Sequence, residues 1–323
     1  MARLKILIGL PGSGKSTFAA KIIETEPGWI HLSSDRIAYE RFDVVEPIDH
    51  RTVFEELYQQ TAAFLIAGRD VIYDATNIAS SRRKSLLNRL RKMEAETEAV
   101  LFFTPLEVLK QRNRMRHDRE RVPEAILERY IRALQFPRKD EKLDKITLVS
   151  GFTPSATSSQ AQSLRQLIGS ETATFEDILA LYKSFEESNA LTTLPEMEAV
   201  AYRSYKLFKQ VQLDVLNHRE RALLSWAMLL HGIGKPHVRK PVPIEQDNFY
   251  GYEHVSMYLA YPILSALQYP EPFIFDVLLL IDEHREAPVM KRGKIRRRIG
   301  EENFQRLEYL LEKLSLLTEQ NPR

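Results

Sequence analysis

Cysteine is missing altogether from the 323 residues. That excludes disulfide scaffolds, thiolate zinc sites and cysteine nucleophiles, and fits a reducing, cytoplasmic setting. Long apolar runs are missing too: none approaches the ~20 residues needed to cross a bilayer, so no membrane partner is expected. The N-terminal run MARLKILIGLPGSGKS breaks into glycines too early for a signal-peptide core and reads as a buried strand. Net charge is nearly absent at +2, so the chain as a whole is no electrostatic attractor for nucleic acid. Repeats and low-complexity segments are also lacking. What is present is a globular composition, 44% hydrophobic and 28% charged, on a chain long enough for one large core or two ordinary ones.

The charge that exists is clustered. Lys110, Arg112, Arg114, Arg116, Arg119 and Arg121 stand against Asp118 and Glu120, and a second run holds Lys291, Arg292, Lys294, Arg296, Arg297 and Arg298. Taken alone, each cluster reads equally as a solvated helix face or as a phosphate-binding surface.

Residues 1–150 alternate β-like apolar runs with helical patterns, which predicts an α/β domain: a parallel sheet with helices on both faces. Strands are expected at Leu4–Ile8, Trp29–Leu32, Val71–Tyr73, Val100–Phe103 and Ile146–Val149. Helices are expected from Ser16 to Glu24, from Thr52 to Ala67 with Gly68 as the stop, and after Pro123, where Ile126, Leu127, Tyr130, Ile131 and Leu134 form one stripe. The texture changes at Gly151. Residues 151–174 are polar and rich in small side chains, as in a linker or domain seam, and 175–323 read as an all-α domain.

Gly9-Leu10-Pro11-Gly12-Ser13-Gly14-Lys15-Ser16 matches G-x-x-x-x-G-K-[ST] in full, after a strand and before a helix. Gly9, Gly12, Ser13 and Gly14 let backbone N–H groups converge on phosphate oxygens, and the helix N-terminus adds partial positive charge. Lys15 is expected on the β- and γ-phosphates of ATP, Ser16 on Mg²⁺, and Thr17 on the loop or the α-phosphate. Ser33-Ser34-Asp35-Arg36 ends the second strand, so Asp35 should face the same crevice, either as general base for an attacking hydroxyl or as a helix cap. Asp74 ends the third strand, near Mg²⁺ or its water shell, unless it only organises the turn. Asn77, Arg82 and Arg83 are candidate phosphate contacts. The arginine-rich segment lies where kinases of this class carry a lid that neutralises transition-state charge.

This combination resembles the kinase domain of phage-type 5′-polynucleotide kinases, within the wider group of P-loop kinases that includes zeta toxins and antibiotic phosphotransferases. The resemblance covers residues 4–149 and rests on GLPGSGKST, Pro27-Gly28 before SSDR, DATN followed by Arg82-Arg83, and Arg112-Asn113…Arg116…Val122-Pro123. It implies that Asp35 is the general base, that Lys15 and Ser16 hold ATP and Mg²⁺, and that Arg116 is the lid arginine. One departure stands out: the family's arginine three residues after the base, which holds the acceptor's 3′-phosphate, is Ala38 here, leaving Arg36 or Arg41 to substitute.

Residues 226–235 (WAMLLHGIGK) resemble the metal-binding helix of an HD-type phosphohydrolase, with His231-Gly232 in place of His-Asp. Phe249–His254 resembles the G-H-E-type segment of the HD domain in bacterial tRNA nucleotidyltransferases, and the run from Gly300 to Leu317 resembles the end of that domain. The first metal-binding His falls at Arg203-Ser204 and the late Asp is absent, which implies a degenerate module; His231, His237, His254 and His284 remain as a conceivable metal set. The leading expectation is an ATP- and Mg²⁺-dependent kinase of 5′-hydroxyl RNA or DNA ends, tilted to RNA repair. The alternatives are a small-molecule or zeta-toxin-like kinase, a nucleotide-gated RNA-binding adaptor, and a phosphohydrolase with an unusual metal set.

Overall fold

The computed structural model describes residues 1–42, 49–117, 120–150, 158–170, 172–187, 197–215, 217–238 and 250–320. The chain divides into two compact units, Met1–Tyr130 with Glu141–Phe152, and Ile131–Asp140 with Thr153–Arg323.

In the first unit the order is β1 (Arg3–Ile8), α1 (Lys15–Thr25), β2 (Ile30–Ser33), α2 (Ser34–Arg41), α3 (His50–Ile66), β3 (Val71–Asp74), α4 (Ser80–Leu90), β4 (Glu96–Phe103), α5 (Leu106–Arg114), α6 (Glu124–Ala133) and β5 (Lys145–Ser150). The strands form one sheet in the order β2-β3-β1-β4-β5, and every pairing is parallel. A parallel sheet is covered on both faces, so its central strands are mostly apolar, and Lys5 of β1 is paired with Glu98 of β4. Leu4, Ile6, Leu7 and Ile8 of β1 are wholly buried, as are Ala99 and Leu101 of β4. Leu7, Ile72, Val100 and Phe102 pack with Ala19 and Ile22 of α1 and with Trp29, and Phe18 meets Phe102 edge-on at 5.3 Å between centroids. Each such burial is worth about 1.5–3 kcal/mol, so this layer holds α1, and with it the glycine loop, against the sheet.

Strand order decides where the crevice lies. From β1 the chain goes first to β2 and β3 on one side, then to β4 and β5 on the other. The C-terminal end of β1 is therefore the switch point, where helices diverge and leave room for a ligand. Asp74 lies in register with Leu7 on one side and Ser33 on the other, so the ends of β1, β2 and β3 meet there.

The second unit is helical: α7 (Ser158–Gly169), α8 (Phe175–Glu187), α9 (Met197–Asp214), α10 (His218–Leu230), α11 (Lys235–Val238), α12 (Tyr252–Ala266), α13 (Glu271–Glu283), α14 (Arg292–Ile299) and α15 (Glu301–Gln320). Helices α10, α12 and α13 are apolar nearly all round, as helices buried on every side must be. Polar groups tie these helices to their neighbours: Trp226 Nε1 donates to the Tyr269 hydroxyl at 2.8 Å, and Gln212 Nε2 of α9 donates to Ser225 Oγ at 2.9 Å and Ile168 O at 3.1 Å. The last bond ties Ser158–Gly169, within the stretch expected as a linker or domain seam, into this unit as a helix, while the boundary between the units falls at the start of that stretch, after Phe152; residues 151–157 lie outside the described residues. Among the described residues no helix is long and apolar enough to cross a membrane.

Candidate functional site

The glycine loop follows β1 and runs directly into α1. Gly12 and Gly14 have φ of +81° and +96°, a region costly for any residue with a Cβ, and Gly14 is the N-cap of α1. Three contacts from outside the loop fix its path. Gly9 N donates to Thr76 O at 3.0 Å, Thr104 Oγ1 donates to Ser13 O at 3.1 Å, and Arg112 Nη1 donates to Gly12 O at 3.3 Å. Lys15 Nζ folds onto the loop, donating to Gly9 O and Leu10 O at 3.0 Å each. Burial lowers the Lys15 pKa, while Asp74 and Asp35 act against that shift and Arg116 adds to it. Four of the residues singled out by sequence thus share one electrostatic site.

Ser16 Oγ donates to Asp74 Oδ2 at 3.0 Å, and His31 Nε2 meets the same oxygen at 3.0 Å. Asp74 is 4% exposed, so both partners stabilise a carboxylate largely withdrawn from water. Among the described residues no hydrogen bond is made by Oδ1. A hydroxyl beside a carboxylate with one uncommitted oxygen is a hard-oxygen donor set of the kind that suits Mg²⁺, and Ser16 and Asp74 are the residues that could hold one. His31 was not foreseen. Strand alternation was the available signal, since His31 and Ser33 share a face of β2 and Ser33 registers with Asp74.

Asp35 sits in the first turn of α2, and the cap of that helix is Ser33, whose side chain accepts from Arg36 N. The capping role is therefore already filled, and the Asp35 carboxylate is 65% exposed, with Arg116 Nη2 3.8 Å away. Arg116 also meets Glu120 at 3.6 Å. The segment that carries it is pinned at its base by Asn113, whose Nδ2 donates to Val122 O at 2.6 Å and whose Oδ1 accepts from Val122 N at 3.0 Å. Asn113 is thus the structural reason for the Arg-Asn…Val-Pro pattern. Other arginines of the cluster are engaged elsewhere: Arg114 with Glu124 at 2.7 Å, and Arg121 with Arg116 O at 3.4 Å; Asp118 and Arg119 lie outside the described residues.

Two expected phosphate contacts are corrected. Arg83 is 1% exposed and forks onto Glu141, with Nε to Oε2 at 2.7 Å and Nη2 to Oε1 at 2.8 Å, while Nη1 donates to Asn77 O and Ile78 O. Asn77, 8% exposed at φ +48°, donates through Nδ2 to Leu7 O at 2.7 Å. Both are struts under the crevice, because both are buried and their side chains bond to groups inside the protein. Arg82 is exposed and stacks on Phe54 at 5.7 Å. Arg36 pairs with Glu40 at 3.0 Å and Arg41 with Glu56 at 2.5 Å, and Ala38 is buried in α2.

In the second unit the four histidines do not converge. His254 Nδ1 meets Asp282 Oδ1 at 2.6 Å, whereas His231 and His284 meet edge-to-face at 5.4 Å. His237 lies on α11, and Phe249 lies outside the described residues. Among the described residues no group of three or more His, Asp or Glu is arranged to hold a metal ion. Three of the basic residues near the C-terminus are tied to acids: Arg292 to Glu308, Arg296 to Glu301 at 3.0 Å, and Arg298 to Glu283 at 2.9 Å. Lys291, Lys294 and Arg297 remain on the exposed face.

Residues 4–137 match the AAA_33 family model, an AAA domain. Among solved structures, the chain is similar to one in the structure of the Pnkp1/Rnl/Hen1 complex, at 28% identity over 36% of this chain and 40% of that one, with a TM-score of 0.33. It is similar to a putative kinase from Chloroflexus aurantiacus at 19% identity, over 51% of this chain and 97% of that one, with a TM-score of 0.40. It is also similar to a fungal RNA kinase at 15% identity, over 67% of this chain and 98% of that one, with a TM-score of 0.37. This chain spans less than half the length of the chains it matches in the Pnkp1 complex structures, 40% of one and 44% of the other. The glycine loop in its strand–loop–helix setting and the matched family model together make the first unit a P-loop nucleotide-binding domain.

Proposed function

We propose that the first unit is an ATP- and Mg²⁺-dependent kinase whose acceptor is the 5′-hydroxyl of a polynucleotide. The observation that carries this reading is the placing of Asp35 and Arg116, 3.8 Å apart and both acting on Lys15. A nucleotide-binding switch needs only the loop and its magnesium ligands. A group-transfer enzyme also needs a base for the acceptor and a cation for the charge that builds during transfer.

In this mechanism the glycine loop amides and Lys15 hold the β- and γ-phosphates. Ser16 and Asp74 would hold the Mg²⁺, which when bound would neutralise phosphate charge. Asp35 takes the proton of the acceptor hydroxyl as its oxygen bonds to the γ-phosphorus and the bond from that phosphorus to the β-bridging oxygen breaks, releasing ADP. Arg116 stabilises the equatorial oxygens. Its present contact with Asp35 keeps both side chains near the reaction axis and is exchanged for phosphate when substrates enter.

A second reading, a kinase of small alcohols, is favoured by Ala38, since Arg36 and Arg41 are each paired with a glutamate and neither takes over an acceptor phosphate in this arrangement. The second unit, on the resemblance of its sequence to tRNA-handling modules, is assigned as a non-catalytic helper that favours RNA. The deciding measurement is incubation with γ-labelled ATP and 5′-hydroxyl RNA or DNA. Label on the oligonucleotide end, lost in Lys15→Ala and Asp35→Ala, supports the proposal; label on a small alcohol and on neither polymer overturns it.

A further inference from the structure

Helix α14 is basic along its whole length, and the fold sorts its cations into two sets. Between Lys291 and Arg298 the chain carries six lysines and arginines and no acid. Three of them are consumed within the second unit. Arg298, 6% exposed, stands 2.9 Å from Glu283 Oε1 and donates to Glu286 Oε2 at 2.8 Å. Arg296 meets Glu301 at 3.0 Å and Arg292 pairs with Glu308, and both guanidinium groups face the Phe304 ring, 4.8 and 5.7 Å from its centroid. This set fastens α14 to α13 and α15.

Lys291, Lys294 and Arg297 form the other set. All three are exposed, and among the described residues none of them enters an ion pair. Arg297 Nε donates to Gly293 O one turn back at 3.3 Å, and its two outer nitrogens have no acceptor among the described residues. A Cβ on Gly293 would meet nothing within 4 Å, so the ground between these side chains is clear. Residues three apart on a helix are neighbours on one face, and at ~1.5 Å of rise each the line from Lys291 to Arg297 is about 9 Å long.

Helix energetics does not account for this line. The field of a helix favours acids at its N-terminus and cations at its C-terminus, by about 0.3–1 kcal/mol each. Helices α8, α9, α10, α12, α13 and α15 follow that rule with a glutamate in the first turn. Helix α14 opens instead on Lys291, Arg292 and Lys294. Solubility does not account for it either, since a face that serves only hydration mixes both signs. Protein and membrane contacts centre on apolar side chains, and both isoleucines of α14 are buried.

We infer that Lys291, Lys294 and Arg297 are a docking surface for the phosphate backbone of a polynucleotide strand. A line of about 9 Å matches two to three phosphates at ~3.4 Å of rise along one strand. No aromatic, asparagine or glutamine side chain stands among the three, so the surface grips the backbone without reading bases. The choice of a polynucleotide rests in part on the kinase reading of the first unit; the binding itself needs no catalysis.

The test titrates the full chain, without ATP, into a fluorescent single-stranded RNA whose 5′ end is already phosphorylated, and follows anisotropy at stepped salt. The triple variant Lys291→Gln, Lys294→Gln, Arg297→Gln should lower the slope of log affinity against log salt by about 2, or ~0.7 per lost contact, and weaken binding at low salt at least about tenfold. Its melting temperature should stay at or above that of the native chain, since cations leave the positive end of a helix. The control Arg292→Gln, Arg296→Gln removes two charges that are already paired and should change the slope by less than about 1. An equal loss in the control assigns the binding to net charge and overturns the proposal. Polyglutamate and vesicles containing phosphatidylserine are titrated beside the RNA. Binding of either with none of RNA overturns the proposal, as does equal RNA affinity and slope in the native chain and the triple variant. Phosphoryl transfer to a 5′-hydroxyl nucleoside 3′-phosphate is measured in parallel and should be the same in both chains. RNA binding without transfer upholds the surface and sinks the kinase; transfer without RNA binding does the reverse.

Discussion

Two half-buried lysines, Lys15 in the first unit and Lys235 in the second, face opposite electrostatic surroundings. Both have pKa values lowered chiefly by burial. Lys15 is opposed in this by Asp74 and Asp35, and its ammonium is held by two carbonyls of its own loop. Lys235 has Arg203 and Arg285 for neighbours, and a tyrosine face where a carboxylate would be expected. The first arrangement sets two carboxylates against a buried cation. The second is cationic from the start.

The sharpest way to break this comparison is at the first site. Asp35→Ala should reduce phosphoryl transfer by about 10²–10⁴-fold, the usual contribution of a general base, with nucleotide affinity retained. Equal losses of transfer and of nucleotide binding would mean that Asp35 serves the nucleotide and not the acceptor.

The next effect concerns stability. Arg83→Met strands Glu141 without its partner in the interior, which costs about 3–5 kcal/mol. Urea unfolding should register this cost, and the folded fraction should keep its acceptor KM. A raised KM with unchanged stability would return Arg83 to the substrate.

His31 gives a smaller effect. It shares Asp74 Oδ2 with Ser16, so His31→Asn should loosen that carboxylate and raise the Mg²⁺ requirement of transfer about tenfold, as expected when a group orienting a metal ligand is lost. An unchanged Mg²⁺ titration would show that Ser16 alone orients Asp74.

The smallest effect tests the second unit through pH. Burial lowers the pKa of His284 to about 4, and that of His231 well below its ordinary value. Between pH 6.5 and about 4 the unfolded chain therefore binds protons that the folded unit refuses, and stability is lost as pH falls through that window, by at most about 1.4 kcal/mol per pH unit for each histidine. His254, raised by Asp282 against its burial, contributes with the opposite sign, its stabilisation being lost as pH rises above its folded pKa. Denaturation at stepped pH should show the acid slope in the native chain and a shallower one in His284→Gln.

Much of the first unit was legible in sequence because its signals are local. Leu4–Ile8 is an apolar run interrupted only by Lys5, close to what a strand buried on both faces requires, and the glycine loop encodes its own conformation over eight residues. Helix α3 ends at Ile66, one residue short of the expected stop, and Gly68 at φ +72° takes the left-handed position foreseen for it. Strand β4 begins at Glu96, four residues before its expected start, because Thr97 and Glu98 are polar yet registered on β1. Arg83 misled because its partner, Glu141, lies 58 residues away, and basic residues after a strand look alike whether they meet a ligand or a buried glutamate. Ser158–Gly169 misled because its composition is that of a linker, and only packing against α10 makes it a helix of the core.

By itself, then, the sequence determined the parallel α/β class, the phosphate loop and the identity of the residues around it, since backbone conformation and strand burial are dictated by neighbours in the chain. The tertiary structure decided which of those residues share a carboxylate, which are struts, and that Lys235 meets two arginines instead of an acid. Those are properties of charges brought together through space, where low dielectric makes a missing partner as consequential as a present one.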